Sequence, residues 1–409
     1  MTSQERHERR YQRRKAKREA KRAAAIGKYD DFERLSSISA LIRAHWEAQR
    51  GVMWKASPVR YDSHYLRNSV RYSRYLLQGK DTRQGFYSFT IYERGKRRDV
   101  HSLHYAERVI RRSVCINGLV PILSHSLIYD NGASLQDKGV AFSIRRCEAH
   151  LHEYYRRYGN TGYVLVIDYK SFFDNIRHDH LFDVFDKHIK DDRLREVCRN
   201  FVTATGRDGL YIGPEDSQIS AIAYPNDIDH IIKDQWQQPF YNRYMDDSYI
   251  ICPDKDRLLK IRNDLFKLFA DRGIIPNPKK TQIVKLSRGF TFLKVQFILQ
   301  DNGHLIRKPC RANLIRERRK LKSFRRFVDE GIMTAQYVSD QYVSWRGCFK
   351  HKDAHRSLCS LDKYFTKLFA AKPWIDQKRS EPEWTRLIVL TWWAKSPPAR
   401  TCSAKLTTS

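Results

Sequence analysis

The chain has 409 residues, of which 41% are hydrophobic, and its 77 Lys and Arg against 46 Asp and Glu give a formal charge of +31. A chain of this length is expected to form two or three subdomains around a sizeable core. The charge predicts a polyanionic partner, with nucleic acid first and an anionic membrane second, although no apolar run approaches the roughly 20 residues of a spanning helix.

The N-terminus and the cysteines favour a cytoplasmic protein. The first 25 residues, MTSQERHERRYQRRKAKREAKRAAA, lack the apolar core of a signal peptide. Their composition predicts a basic helix or a solvated, partly disordered arm. The eight cysteines form no Cys-x-x-Cys pair, so reduced and mostly buried thiols are expected instead of disulfides or a zinc site.

Strands and helices are interspersed along the rest of the chain, which predicts an α+β sheet with helices on one face. The strand segments, two of them hairpins, are FYSFTIYERGKRRDVHSL, GYVLVID, RYMDDSYIIC, TQIVKL and FTFLKVQFIL. The helical segments are HYAERVIRRSVCINGLVPIL, the stretch directly after GYVLVID, SQISAIAYPNDIDHIIKDQW with a break near Pro225, RLLKIRNDLFKLFADRG, and residues 311–371.

Three aspartates stand at strand ends. Asp168 ends GYVLVID, and Asp246 and Asp247 lie at the turn of RYMDDSYIIC. Asp168 alone could cap the next helix, but two strands of one sheet would bring three carboxylates together, which requires a counter-cation. Divalent cations with oxygen ligands fit this need, and Mg²⁺ leaves room for substrate phosphates. Two ions about 3.5–4 Å apart can activate a hydroxyl and stabilise a leaving oxygen in phosphoryl transfer.

The order of sequence blocks resembles that of reverse transcriptases, especially the bacterial, non-viral kind. The resembling blocks, from about residue 90 to 370, are ERGKRRDVHSLHYAERVIRR, VIDYKSFFDNIRH, GLYIGPEDSQISA, RYMDD, GIIPNPKKT, RGFTFLKVQF and YVSWRGCFKHKDAHRSLCSLDKYF. The Ile-Gly-x-x-x-Ser-Gln form and the stretch IYDNGASLQDKGVAFSIRRCEAHLHEYYRR are similar to diversity-generating retroelements and defence-associated enzymes. Ile212 replaces the glutamine that many relatives have before the glycine.

The resemblance implies a right-hand polymerase with fingers, a palm built on an antiparallel sheet with helices on one face, and a helical thumb. The implied divisions are a basic N-terminal arm at 1–30, fingers at 31–160, palm at 161–305, basic thumb at 306–371 and a C-terminal tail at 372–409.

The resemblance also implies the catalytic and metal-binding residues. Asp168, Asp246 and Asp247 would be catalytic and would bind the metal together with Tyr169. The implied cofactor is a pair of Mg²⁺ ions, with Mn²⁺ as the alternative.

Six residues, Lys96 among them, would contact the incoming nucleotide by the same resemblance. Arg98 would hold triphosphate oxygens, with Lys96 or Arg97 able to share that role. Phe173 would crowd a ribose 2′-hydroxyl, while its neighbour Phe172 is expected in the core. The remaining three are Gly213, where the backbone approaches the nucleotide, Gln218 in the same block, and Lys280, which would protonate pyrophosphate, with Lys279 as the competing candidate.

Two basic segments would contact the template–primer duplex. Lys138, beside Gly139, could touch a template backbone, although a fingers loop explains the segment nearly as well. Residues 307–326 contain ten basic residues and one glutamate, which phosphate contacts explain better than a solvated face. The thumb residues chosen from this stretch are Arg318, Arg319, Lys322 and Arg326.

The predicted function is an RNA-directed DNA polymerase that makes cDNA from deoxynucleoside triphosphates on an RNA template, a specific non-coding RNA, in bacterial antiphage defence or a retroelement. One alternative is a template-independent or protein-primed DNA polymerase. The other is a maturase-like RNA-binding protein, against which the presence of all three aspartates argues. An accessory protein or oligomerisation is compatible with both the defence role and the retroelement role. No membrane partner is expected.

Overall fold

The computed structural model describes residues 2–93, 96–204, 206, 208–349 and 352–369. The chain divides into two compact units, Met1–Arg307 and Lys308–Ser409. The predicted C-terminal tail lies outside the described residues. The seven cysteines within these residues are free thiols, and none of the described helices has both the length and the apolarity needed to cross a membrane.

The first part of unit 1 is mostly helical. Its helices and strands are α1 (Ser3–Gly27), α2 (Phe32–Ser36), α3 (Ile38–Ala48), α4 (Ala56–Asp62), α5 (Tyr65–Leu77), β1 (Phe86–Glu93), β2 (Lys96–Leu103), α6 (Tyr105–Val114), α7 (Val120–Ser124) and α8 (Val140–Tyr158). The basic N-terminal segment is helical, in keeping with its many Ala, Arg, Lys and Glu residues, and Thr2 and Glu5 cap its first turn with a reciprocal capping box. The predicted hairpin is present as an antiparallel pair with Phe86 opposite Leu103.

The rest of unit 1 contains the main sheet. Its elements are β3 (Tyr163–Asp168), α9 (His178–His188), α10 (Asp192–Thr203), α11 (Glu215–Ala223), α12 (Asn226–His230), β4 (Tyr241–Tyr244), β5 (Asp247–Cys252), α13 (Lys255–Asp271), β6 (Gln282–Lys285), β7 (Phe290–Phe292), β8 (Val295–Leu299) and the first three residues of β9 (Leu305–Pro309). The four-stranded sheet has the order β4-β5-β3-β6, and its ladders are antiparallel.

Both faces of the two central strands are buried, which explains why 163–167 of β3 and 249–252 of β5 are continuously apolar. Leu165 and Ile250 belong to one core together with residues of α9, α11 and α13. Val164 and Tyr249 belong to the other core, with residues of α8 and of the three-stranded sheet β7-β8-β9. The fold is the predicted α+β palm with antiparallel strands, and α8 and the small sheet add a second covering layer.

Two sequence-based boundaries were wrong, because each segment contains residues in the left-handed region. The helix expected directly after Asp168 begins at His178, and the chain turns first at Ser171, whose φ is +49°. The expected strand FTFLKVQFIL is two strands, since Leu293 and Lys294 have φ of +49° and +66° and close a two-residue turn. The break near Pro225 is confirmed, because α11 ends at Ala223 and α12 starts at Asn226.

The described part of unit 2 is helical, as predicted. Its helices are α14 (Arg311–Asp329), α15 (Ala335–Gly347) and α16 (His355–Phe369). Their shared core consists of Leu321, Val338, Tyr342, Leu361 and Phe365. A single carboxylate, Glu317, is buried on α14 with 4% of its surface exposed.

Candidate active site

The pairing of β3 with β5 brings two of the three aspartates side by side. Asp168, at the end of β3, is the register partner of Asp247, the first residue of β5. Asp247 also pairs with Tyr244 at the end of β4, which leaves only Met245 and Asp246 in the turn. Asp168 is 4% exposed. The expected convergence of the three aspartates at one end of the sheet is therefore present.

The turn that carries Asp246 is strained. Met245 has φ +55°, a conformation that the first turn residue of a type II′ hairpin requires and that normally selects glycine. A residue with a side chain costs roughly 1–3 kcal/mol there. Strain of this kind persists only when surrounding contacts hold it, and it is found most often at functional sites.

The loop after α13 holds the Asp168 carboxylate at both oxygens. The Lys280 Nζ lies 2.6 Å from Oδ1, and the Asn277 Nδ2 donates to Oδ2 at 2.9 Å. The Asn277 backbone N–H also donates to the Asp168 carbonyl at 2.7 Å. Lys280 rather than Lys279 therefore contacts the carboxylates. The sequence analysis gave no role to Asn277, although it lies in the same block, GIIPNPKKT, as Lys280.

The electrostatics of the site indicate that the negative charge of Asp247 is only partly compensated. Burial, together with the negative charges of Asp246 and Asp168, raises the pKa of Asp247 to about 7, and Lys280 only partly opposes this. Burial lowers the pKa of Lys280, but its hydrogen bond and ion pair with Asp168 outweigh that effect and raise it. The charge of Lys280 therefore does not fully compensate Asp247, and a divalent cation would supply further positive charge.

The chemistry of the donor set fits a hard divalent cation. Within the described residues no three acidic, histidine or cysteine side chains are arranged as a ready metal site, and the Lys280 ammonium occupies Oδ1 of Asp168. The donors are oxygens, as Mg²⁺ prefers. Asp168, Asp246 and Asp247 would hold such an ion once Lys280 moves from Asp168. Tyr169 is buried beside them, and its backbone N–H donates to the Asp246 carbonyl at 3.3 Å.

The two phenylalanines after Asp168 differ in burial. Phe172 is 5% exposed and belongs to the core. Phe173 is only partly buried, begins a short 3-10 helix, and accepts the Leu210 backbone N–H at its carbonyl at 2.7 Å. Its role at the sugar stays a prediction.

The other nucleotide-contact candidates lie on two elements. Gly213 has φ +131°, and no atom lies within 4 Å of the position of a Cβ. It lines a cavity of about 440 Å³ together with residues of β1, β2 and α6. Gln218 is half-buried on α11. Lys96 and Arg98 lie on β2, where their backbones pair with Glu93 and Ile91, but their side chains lie outside the described part of the structure.

Lys138 is engaged within its own loop. Its Nζ donates to the carbonyls of Tyr129 and Asn131 at 2.8 and 2.9 Å, and burial lowers its pKa. This arrangement favours the fingers-loop interpretation over a template contact.

The four basic residues predicted on α14 have different surroundings. Arg318 donates to Ser360 Oγ at 2.7 Å and lies over the Tyr364 ring, so it supports the helix packing of unit 2. Arg326 forms an exposed ion pair with Glu330 at 3.5 Å. Arg319 and Lys322 are exposed, which makes them the better candidates for phosphate contacts.

A palm sheet with three carboxylates at one end has the architecture of the right-hand class of nucleotidyl-transferring polymerases. Residues 113–297 match the family described as reverse transcriptase (RNA-dependent DNA polymerase). This segment, which includes Asp168, Asp246, Asp247 and Lys280, is therefore similar to reverse transcriptases.

Solved structures similar to this chain include telomerases. Apo telomerase from Candida tropicalis, truncated from its C-terminal domain, is 15% identical with a TM-score of 0.45, and 54% of each chain is covered. Telomerase from Candida albicans in complex with a fragment of telomeric RNA is 13% identical with a TM-score of 0.43, covering 81% of this chain and 69% of that one. The chain thus spans about half of the Candida tropicalis structure. No curated protein matches the sequence.

Proposed function

We propose that this protein is an RNA-directed DNA polymerase that copies a specific non-coding RNA into cDNA from deoxynucleoside triphosphates, using two Mg²⁺ ions. It would act in the bacterial cytoplasm, in antiphage defence or as part of a retroelement. The observation that carries the proposal is the pairing of Asp168 with Asp247 across adjacent strands, beside Asp246 and Lys280, inside a segment similar to reverse transcriptases.

The residues of the site suit attack by a primer 3′-hydroxyl on the α-phosphorus of the nucleotide, with pyrophosphate as the leaving group. Divalent cations, when bound, favour the hydroxyl as a nucleophile and stabilise the charge on the leaving oxygens. Asp168, Asp246 and Asp247 would bind them, while Asn277 keeps Asp168 oriented. Lys280, released from Asp168, would have a proton to donate to pyrophosphate, because a lysine side chain is ordinarily protonated at neutral pH.

The test of this site is the double change Asp246→Asn plus Asp247→Asn. We expect no incorporation of labelled deoxynucleotide on an RNA template, because two of the three cation ligands lose their charge. The thermal midpoint in EDTA should not fall, since removing the charges relieves repulsion around Asp247. DNA synthesis near the wild-type rate in this variant would contradict the site.

A second assay separates copying from the alternatives. Wild-type protein should incorporate all four nucleotides according to the sequence of a defined RNA template. Extension without template would favour a template-independent or protein-primed polymerase. Tight RNA binding with no metal-dependent incorporation would favour the maturase-like role.

A further inference from the structure

The turn with the two adjacent aspartates is supported by a buried ion pair. Arg243 on β4 has 0% of its side chain exposed, and Asp229 on α12 has 1%. The Arg243 Nε lies 2.9 and 3.0 Å from the two Asp229 oxygens, and its Nη2 lies 2.6 Å from Oδ2. The Tyr241 hydroxyl donates to Asp229 Oδ1 at 2.6 Å. The pair is therefore bidentate and is satisfied by further hydrogen bonds.

The remaining donors of the guanidinium bind two backbone carbonyls. Nη2 donates to the Ile222 carbonyl on α11 at 2.7 Å, and Nη1 donates to the Met245 carbonyl at 3.3 Å. Met245 is the turn residue with φ +55°. Arg243 thus links the strained turn to α11 and α12 through one rigid, planar group.

These contacts fix the backbone on both sides of Asp246. The peptide unit before Asp246 carries the Met245 carbonyl, which Arg243 holds. The peptide unit after it carries the Asp246 carbonyl, which accepts the Tyr169 backbone N–H at 3.3 Å. With both flanking peptide units held, the scaffold sets the direction of the Asp246 Cα–Cβ bond.

Stability alone does not explain a charged pair at this place. Removing two charges from water costs as much as their attraction returns, and apolar residues of similar volume often stabilise a core better. An apolar side chain, however, has no donor for the Met245 carbonyl. The specific gain from arginine is the orientation of the turn.

We propose that Arg243, anchored by Asp229, is a positioning residue that holds the Met245–Asp246 turn in the geometry needed for Asp246 to bind a divalent cation. The proposal rests on the proposed function, because it deepens the account of that cation site. It concerns residues that do not themselves touch the cation.

The main test is the full-length variant Arg243→Met plus Asp229→Asn, read by direct Mn²⁺ binding in electron paramagnetic resonance. Both charges are removed together, so no unpaired charge stays buried, and asparagine still accepts the Tyr241 hydroxyl. We expect a folded protein with a lower thermal midpoint, because the Ile222 and Met245 carbonyls lose a donor. We also expect a rise of about 10- to 100-fold in the Mn²⁺ dissociation constant, the range seen when residues supporting metal ligands are changed. Arg243→Lys should show the same loss, since lysine cannot reach Asp229 and both carbonyls at once.

A rescue variant separates positioning from core packing. Adding Met245→Gly to the double variant should recover Mn²⁺ affinity, because glycine adopts a positive φ without strain. The matched control is Arg346→Met plus Asp362→Asn, which removes a similar Tyr-Asp-Arg network around Tyr342 in unit 2 and should leave Mn²⁺ affinity unchanged.

The outcomes distinguish this proposal from the proposed function. Unchanged Mn²⁺ affinity in the folded double variant would overturn the positioning role alone. The positioning role would also be overturned if Mn²⁺ affinity fell only when the protein lost the near-ultraviolet circular dichroism of its folded state, in both the double variant and Arg243→Lys. A wild-type protein that binds no Mn²⁺ would overturn the cation site itself, and this proposal with it.

Discussion

At the residue scale, the two phenylalanines after Asp168 are predicted to have different roles, core packing for Phe172 and selection of the substrate sugar for Phe173. Phe173→Ala should raise ribonucleotide incorporation relative to deoxynucleotide, because the partly buried ring would no longer crowd the 2′-hydroxyl. The measurement is the ratio of kcat/KM for the two substrates. Phe172→Ala is the matched control, since Phe172 is 5% exposed and its loss should cost about 3–5 kcal/mol of stability without changing the ratio. An unchanged ratio for Phe173→Ala would place the sugar gate elsewhere.

The buried Glu317 predicts a pH-dependent loss of stability. Burial raises its pKa above the ordinary value of 4.5, and Lys320 only partly opposes this. Its Oε1 has no hydrogen-bond partner among the described residues. Because the folded state favours the protonated form of Glu317, this group's contribution to the free energy of unfolding is fully present below pH 4.5. The contribution is lost as pH rises through the raised pKa.

Glu317→Gln should therefore stabilise the protein at pH 7.5 by about 1 kcal/mol, the order of the cost of an unsatisfied buried group. At pH 4.5 the variant and the wild type should unfold alike. Calorimetry of the full-length chain at both pH values measures the difference. Glu330→Gln, an exposed change on the same segment, is the control. A gain of the same size at both pH values would contradict the titration of Glu317.

At the element scale, α14 is predicted to bind phosphates through its exposed face. Arg319→Gln plus Lys322→Gln should weaken template–primer binding and reduce the slope of log K against log salt by roughly 0.9 for each lost contact. Arg318 is left intact because it bonds Ser360. Binding should weaken equally for unrelated template sequences, since phosphates carry no sequence information.

The control for this helix is Lys255→Gln plus Lys260→Gln, which removes the same charge from exposed positions of α13. Saturating template–primer should restore most of the rate in the α14 variant, because its chemistry is unchanged. An affinity and a salt slope like those of the wild type would show that α14 presents a solvated face instead.

At the scale of the whole molecule, the charge of +31 and the similarity of residues 113–297 to reverse transcriptases predict a chain that retains RNA during purification. Sequencing the nucleic acid that co-purifies with the wild type should reveal one dominant RNA and DNA complementary to it. The Asp246→Asn plus Asp247→Asn variant should retain the RNA and lack the DNA. A broad mixture of cellular RNA would contradict a specific non-coding partner.

The sequence by itself determined the local structure and the chemical type of the site. Periodicity and turn residues predicted the hairpins, most helices and the break at Pro225, because these patterns depend on neighbours within a few residues. The aspartates at strand ends, Asp168 among them, predicted an oxygen-ligand cation site, because residue type and position at a strand end can both be recognised in the sequence. The helix boundary before His178 and the turn at Leu293 escaped prediction, since a positive φ in a residue other than glycine has no local signal.

The tertiary structure alone decided how the site is held. Asn277 contacts Asp168 across 109 positions of sequence, and the Lys280 contact spans 112, so the choice between Lys279 and Lys280 depended on the path of the loop after α13. Arg243 looked like one more cation in a basic chain, and its partner Asp229 like an ordinary helix residue. In the folded chain these two side chains are buried together and form a bidentate ion pair. The physical reason is that a side chain's partner and its desolvation are properties of the folded packing, whereas residue type and spacing are written along the chain.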